Sequence, residues 1–370
     1  MERRDERMTT PSHGPVAHRR IRAVVASLGG TVAVVAGVGL TLIRVIKLGL
    51  SWGDVPGLIL LAAGVALLVL AAVWFLGPIR RWRKLVGLPV GILWVYYVIL
   101  PLTVAVYTTH VPPTAVGSRT PGDLGLPYRD VAVTTADGVR LSGWYLPSKN
   151  RAAVLMLHGS GETRSGVLQH AVRLAEQGFG VLALDARGHG RSAGTAMDWG
   201  WFGPLDAEAG VTFLAEQAEV DPGRIGAVGL SMGGEEALTA AASDARIRAV
   251  VAEGVTMRSF SDRHSVPAPM VNRLLSTPHW WLQYAAADLM TRAGQPSALE
   301  EAMRRIAPRP VLLIAGTQPE VDFNRAYVAA APASTELWAA ADVGHTRALA
   351  AHPRRWVERV TSFLEAALVG

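Results

Sequence analysis

Hydrophobic positions change character along this chain. Three long uncharged apolar runs occupy the first 110 residues, at 23–43, 57–76 and 86–108. Beyond them, short apolar runs alternate with amphipathic ones. A helix of about 20 apolar residues crosses a bilayer core, so each long run predicts a transmembrane helix. The third also carries Trp94, Tyr96, Tyr97 and Tyr107. The first has no clear small-x-small cleavage site and is followed by two more runs, which disfavours a cleaved signal peptide. Residues 1–20 are polar and Arg-rich and read as a basic tail, so the three-span anchor covers 21–108. Residues 109–127 hold Pro112, Pro113, Gly117, Pro121, Gly122, Gly125 and Pro127 and read as a linker.

From residue 128 the periods are those of a globular domain. Residues 131–135 and 139–146 alternate around Asp137-Gly138, which predicts a β-hairpin. Uniformly apolar runs at 152–157, 181–184, 225–228, 247–252, 310–315 and 335–339 predict buried strands. Helical patterns separate them, near 161–177, 205–217, 235–242 and 324–330, and an amphipathic helix closes the chain near 350–368. Uniformly apolar strands alternating with helices mean a mostly parallel sheet covered on both faces. The expected class is therefore α/β, spanning 128–370. Residues 255–308 break the alternation with Met257, Met270, Trp280, Trp281 and Tyr284, and are expected to form a small helical lid.

Composition sharpens this picture in three places. Half of the 370 residues are apolar and the mean hydropathy is +0.26, an excess that lies in the first 110 residues. There is no cysteine, so disulfides, thiolate nucleophiles and Cys-ligated metals are excluded. The formal charge of +6 is uneven: residues 1–110 carry 12 Lys/Arg against 4 Asp/Glu, and residues 111–370 carry 24 against 26. The large C-terminal part thus offers no basic surface for nucleic acid. Arg3, Arg4, Arg7, Arg19, Arg20 and Arg22 precede the first span, and Arg80, Arg81, Arg83 and Lys84 separate the second from the third. The first connection has Arg44 and Lys47 with Asp54. The positive-inside rule then puts the tail in the cytoplasm and everything after residue 108 on the outer side of the cell membrane.

Candidate chemistry centres on Gly229-Leu230-Ser231-Met232-Gly233. This G-x-S-x-G sequence follows an apolar strand and precedes a helical run, the setting of a nucleophile elbow. A serine hydroxyl needs a base, and the base needs an orienting acid. His345, in Val343-Gly344-His345-Thr346 after the last strand, is the candidate base. The acid is open among Glu320, Asp322 and Glu253; Glu320 lies nearest the end of its strand. His158-Gly159-Ser160 follows the first buried strand, where the Ser160 N–H could join that of Met232 in an oxyanion hole. His158, Asp185 and Arg187 read as loop-ordering groups. No pair of His or acidic residues stands at ligand spacing on one helix, so no metal is expected.

Taken together, these features resemble the α/β-hydrolase superfamily over about residues 128–370. The resemblance rests on His158-Gly159-Ser160-Gly161, Asp185-Ala186-Arg187-Gly188-His189-Gly190, Gly229-Leu230-Ser231-Met232-Gly233-Gly234 and Gly344-His345. The stretch from Thr135 to Pro147 is similar to the opening hairpin of membrane-anchored esterase-like and prolyl-oligopeptidase-like members. The family implies serine hydrolysis through an acyl-enzyme, without a cofactor. A Gly-x-x-Asp spacing is common at its acid, whereas here Gln318-Pro319-Glu320 intervenes. The expected function is a membrane-anchored serine hydrolase of carboxylesterase or lipase type. Its substrate would be a small ester, a lipid or a peptide, its partner the lipid bilayer, with no nucleic acid. A peptidase releasing short peptides is the alternative within chemistry, with Glu235 or Glu236 to bind a free amino terminus. A non-catalytic binding protein on the same scaffold is the alternative outside it.

Overall fold

A computed structural model describes residues 15–76, 87–110, 114–195 and 199–370. The chain divides into two compact units, Met1–Tyr107 and Thr108–Gly370. Most of the basic tail, and the connection from Arg80 to Lys84, lie outside the described residues.

Three helices are long and apolar enough to cross a membrane: His18–Ile46, Trp52–Leu76 and Gly87–Thr109. Each runs up to a few residues past its uncharged run, because flanking polar residues extend a helix without entering its apolar length. The first two approach closely through glycine. A Cβ on Gly64 would stand 2.8 Å from the backbone nitrogen of Val34, and one on Gly30 would stand 2.9 Å from the Gly64 carbonyl. Small residues let two helix backbones approach this closely. Between these two helices, Arg44 Nε donates to Asp54 Oδ1 at 2.7 Å, so one of the two basic residues of that connection is already neutralised.

The second unit is built on an eight-stranded sheet. Its strands are β1 (Arg129–Thr134), β2 (Arg140–Leu146), β3 (Ala153–Leu157), β4 (Gly180–Leu184), β5 (Ile225–Leu230), β6 (Ile247–Glu253), β7 (Val311–Ala315) and β8 (Thr335–Ala339). The order is β1-β2-β4-β3-β5-β6-β7-β8. β2 runs antiparallel to β1 and β4, and the remaining pairs are parallel. Strands β3, β4 and β5 are buried along their whole length, as their uninterrupted apolar runs predict.

Helices α1 (Leu168–Glu176), α2 (Gly203–Ala215), α3 (Met232–Ser243), α4 (Met270–Thr291), α5 (Leu299–Ile306), α6 (Gln318–Ala330) and α7 (Pro353–Leu368) complete the unit. Successive strand residues point to opposite faces, and two cores result. Leu155, Leu157, Leu182 and Leu184 join Val211, Leu238, Met303 and Tyr327, from α2, α3, α5 and α6. Val154, Met156, Val181 and Ala183 join Leu174, Trp356 and Leu364, from α1 and α7.

Two elements differ from expectation. Of the segment 255–308, α5 carries Leu299, Met303 and Ile306 into the first core, so its last part is core rather than lid. Helix α6 begins at Gln318 instead of near 324. Thr317 and Glu320 form a capping box there, and Pro319 sits in the first turn, both of which start a helix. Glu320 and Asp322 are therefore helical residues and do not lie in a loop.

Candidate active site

The ends of β3, β5, β6 and β7 bring the predicted site residues to the carboxyl edge of the sheet, where ligands bind in open α/β sheets. Ser231 follows β5 directly and carries φ 53° and ψ −120°. A non-glycine residue in that region costs on the order of 1–3 kcal/mol and is held there only by its surroundings. Those surroundings are tight. The Ser231 N–H donates to the Glu253 carbonyl at 2.7 Å, and the Ser231 carbonyl accepts from Gly234 and Glu235 at 2.9 and 3.1 Å. A Cβ on Gly229 would stand 2.1 Å from the Gly233 carbonyl, and one on Gly233 would stand 2.5 Å from the Leu157 carbonyl. Side chains at either glycine would push the turn off the sheet.

His345 reaches the serine from the loop after β8. Its Nε2 lies 2.9 Å from Ser231 Oγ, and its Nδ1 lies 2.7 Å from Glu320 Oε1. A carboxylate accepts, so Nδ1 carries the proton and Nε2 faces the hydroxyl as acceptor. The other carboxyl oxygen, Glu320 Oε2, accepts from the Gly316 N–H at 2.6 Å and the Thr317 N–H at 3.2 Å. One carboxylate thus caps α6 and orients the histidine. Burial alone would push the Glu320 carboxyl up. Hydrogen bonds from His345, Gly316 and Thr317 outweigh it and hold it below its usual value. The hydrogen bond to Glu320 raises His345 above the usual histidine value against desolvation.

The other two candidate acids stand elsewhere. Asp322 Oδ1 accepts from Gln318 Nε2 at 2.8 Å and lies 3.8 Å from Arg325, on the exposed side of α6. Glu253 turns its carboxylate to the Ala348 N–H at 2.9 Å and the Trp356 Nε1–H at 3.2 Å. It holds the chain after His345, and burial raises its carboxyl.

The loop after β3 lies beside the serine. A Cβ on Gly159 would meet the Ser231 Cβ at 3.5 Å, and Ser160 is exposed. Met232 is the first residue of α3, where helix N–H groups have no acceptor within the helix. His158 Nε2 accepts from the Ala186 N–H at 3.0 Å, and its Nδ1–H donates to the Gly159 carbonyl at 2.8 Å. Burial lowers its pKa to about 3, so it is neutral and structural. Asp185 takes the N–H groups of Arg164 and Arg191. Arg187 pairs with Asp206 at 2.7 Å and Asp137 at 2.8 Å. Among the described residues no group of three His, Cys, Asp or Glu could hold a metal.

One buried cluster carried no motif. Glu235 and Glu236, near the start of α3, are buried, and desolvation lifts each carboxyl to about 8. The Arg258 guanidinium, fully buried, opposes that lift in both, and it donates to the Gly200 carbonyl at 2.5 Å. Glu235 Oε1 accepts from the Thr256 N–H at 3.2 Å. Aromatic rings gather nearby: Tyr284 of α4 stacks on Trp199 at 4.7 Å and on Trp201 at 6.3 Å. Of these rings the sequence singled out only Tyr284 of the lid, and nothing in the local sequence of Trp199, Trp201 or Arg258 signalled their packing.

The chain is similar to several known proteins. The family model for serine aminopeptidases of the S33 type matches residues 148–318. An esterase of Pyrococcus furiosus aligns with a TM-score of 0.54 and 28% identity, over 70% of this chain and 99% of that one. The α/β hydrolase GrgF from a Penicillium species has the same fold, with a TM-score of 0.51 and 24% identity over 66% of this chain and all of that one. An uncharacterised protein of Mycobacterium tuberculosis is 41% identical over 108 residues, 28% of this chain and 38% of that protein. The thiohydrolase AneE of Aspergillus aculeatus is 33% identical over 133 residues, 34% of this chain and 40% of that protein. The chain thus spans about two fifths of the length of these two relatives.

Proposed function

The chain belongs to the α/β-hydrolase superfamily, and from that premise we propose that it is a membrane-anchored serine hydrolase acting on esters through an acyl-enzyme. The observation that carries this reading is the continuous hydrogen-bonded line Ser231–His345–Glu320 at a strained elbow. His345 removes the Ser231 proton as the oxygen attacks the carbonyl, then gives it to the leaving group. Glu320 keeps the ring in the tautomer that presents Nε2 and stabilises the imidazolium. The Ser160 and Met232 N–H groups receive the oxyanion. A water activated by the same histidine releases the acid. The three apolar helices hold the protein in the cell membrane, with the tail cytoplasmic and the hydrolase unit outside.

Esterase-type chemistry suits the site better than release of amino-terminal residues. A group that binds an ammonium must be ionised. Glu235 and Glu236 are buried, and desolvation favours their neutral forms up to a pH of about 8.

The test is labelling of the full chain with a fluorophosphonate, followed by a panel of acyl esters and aminoacyl amides. The wild type is expected to label and to hydrolyse esters. Ser231→Ala should lose both while keeping its circular dichroism and melting midpoint, because one half-buried hydroxyl is removed. Ordinary esterase turnover in that variant would exclude the mechanism.

A further inference from the structure

The lid helix α4 is amphipathic in an unexpected sense. Tyr284 and Ala287 are buried beneath it, while Met270 (76% exposed), Leu274 (68%) and Trp281 (59%) share its outer side at i, i+4 and i+11. Val271 (64%) and Leu289 (79%) widen that stripe. A contiguous apolar patch on a helix that already covers a core calls for a partner.

The chain itself indicates which partner. The third candidate span ends at Thr109. Within the hydrolase unit, Thr109 Oγ1 donates to Met290 Sδ at 3.5 Å, next to Leu289 at the end of α4. Five residues on, Thr114 Oγ1 donates to the Gly161 carbonyl at 2.7 Å, in the loop that holds Ser160. Five extended residues reach at most about 18 Å. The chain leaving the apolar span is therefore pinned first to the lid helix and then to the loop beside Ser231. Arg292 is exposed at the end of the helix, whereas Arg263 and Arg273 donate to Ser276, Thr277 and the Val266 carbonyl within the unit. An exposed apolar stripe on an otherwise packed amphipathic helix is the pattern of helices that lie in a lipid interface.

We propose that the outer face of α4 lies in the surface of the bilayer that holds the spans, and that Ser231 draws its substrate from there. The substrate is then the long-chain acyl ester of a bilayer-dissolved amphiphile. This rests on the anchored serine-hydrolase reading above and adds to it the docking surface and the substrate class.

The chain has no cysteine, so single labels report single sites. Full-length protein carrying Leu274→Cys, Trp281→Cys, Val69→Cys or Ala218→Cys is labelled with bimane. It is then reconstituted into phosphatidylcholine/phosphatidylglycerol vesicles containing doxyl lipid. Val69 is an exposed position of the second span. Ala218 is exposed in the turn before β5, at the sheet edge opposite Ser231. Labels at 69, 274 and 281 should be quenched by the lipid nitroxide, and the label at 218 by aqueous iodide. If 274 and 281 behave like 218 while 69 stays quenched by lipid, the docking is wrong and the anchoring stands. If 69 also escapes the lipid quencher, the anchoring reading falls and takes this inference with it. Protection at 274 only at high protein-to-lipid ratio, without lipid quenching, would assign the face to a second copy and overturn the proposal. In a second arm, Leu274→Glu with Trp281→Glu should cut turnover of a vesicle-dissolved long-chain ester by about 10-fold. Hydrolysis of 4-nitrophenyl acetate should stay within about twofold, since the catalytic groups are untouched. Equal effects on both substrates would overturn the substrate class.

Discussion

At the scale of single residues, three carboxylates of similar sequence context have three different jobs. Glu320 faces His345, Asp322 faces Gln318, and Glu253 ties the start of the closing segment to Trp356. Their substitutions should separate accordingly. Glu320→Gln is expected to lower kcat by about 10⁴-fold, because an amide allows the wrong histidine tautomer. Asp322→Asn should be silent. Glu253→Gln should keep most turnover and cost about 1–3 kcal/mol of stability, since a buried acceptor is weakened. Kinetics and urea melts of the three variants check this; a dead Glu253→Gln beside an active Glu320→Gln would move the acid to β6. The pH profile provides a second readout. The base works in its neutral form, and Glu320 raises His345 above 6.5. kcat/KM should therefore fall as pH drops through a value above 6.5. Removing the charge at 320 should shift that limb downward.

At the scale of elements, the capping box of α6 couples helix start to catalysis. Glu320 Oε2 is occupied by the Gly316 and Thr317 N–H groups, which leaves Oε1 aimed at His345. Thr317→Ala removes the cap partner. It should cost about 1 kcal/mol of stability and lower kcat modestly, with KM nearly unchanged, because the Glu320 N–H loses its side-chain acceptor and the first turn loosens, while the Gly316 and Thr317 N–H groups still hold Oε2. A melting series with steady-state kinetics tests this. A stability loss without any kinetic change would make Glu320 independent of its cap. The elbow shows the same coupling between β5 and α3, whose glycines at 229 and 233 let carbonyls approach where no Cβ fits.

At the scale of the whole molecule, the basic residues flanking the spans set the expected topology. Arg44 pairs with Asp54, which leaves the excess of positive charge on the tail and the connection from Arg80 to Lys84. Protease added to spheroplasts should cut the hydrolase unit, and in inverted vesicles the unit should be protected. The opposite pattern would reverse the orientation.

Much of this was legible along the chain because it depends on local period. Apolar runs of strand length between helical patterns specify a covered parallel sheet, and uncharged runs of about 20 residues specify helices long and apolar enough to cross a membrane. Ser231 and His345 were readable for a related reason: a sharp turn needs Gly229 and Gly233 at fixed offsets, and chain order placed the histidine after the last strand. The carboxylate that meets His345 was not so readable. Glu320 and Asp322 lie two residues apart, and which one faces His345 depends on where α6 starts and how it is rotated against β7. The burial of Arg258 beside Glu235 and Glu236 is likewise set by packing of the lid segment on α3. So is the direction of the apolar stripe on α4. A period of 3.6 shows that a helix has an apolar side; which side meets the core is decided by its neighbours in space.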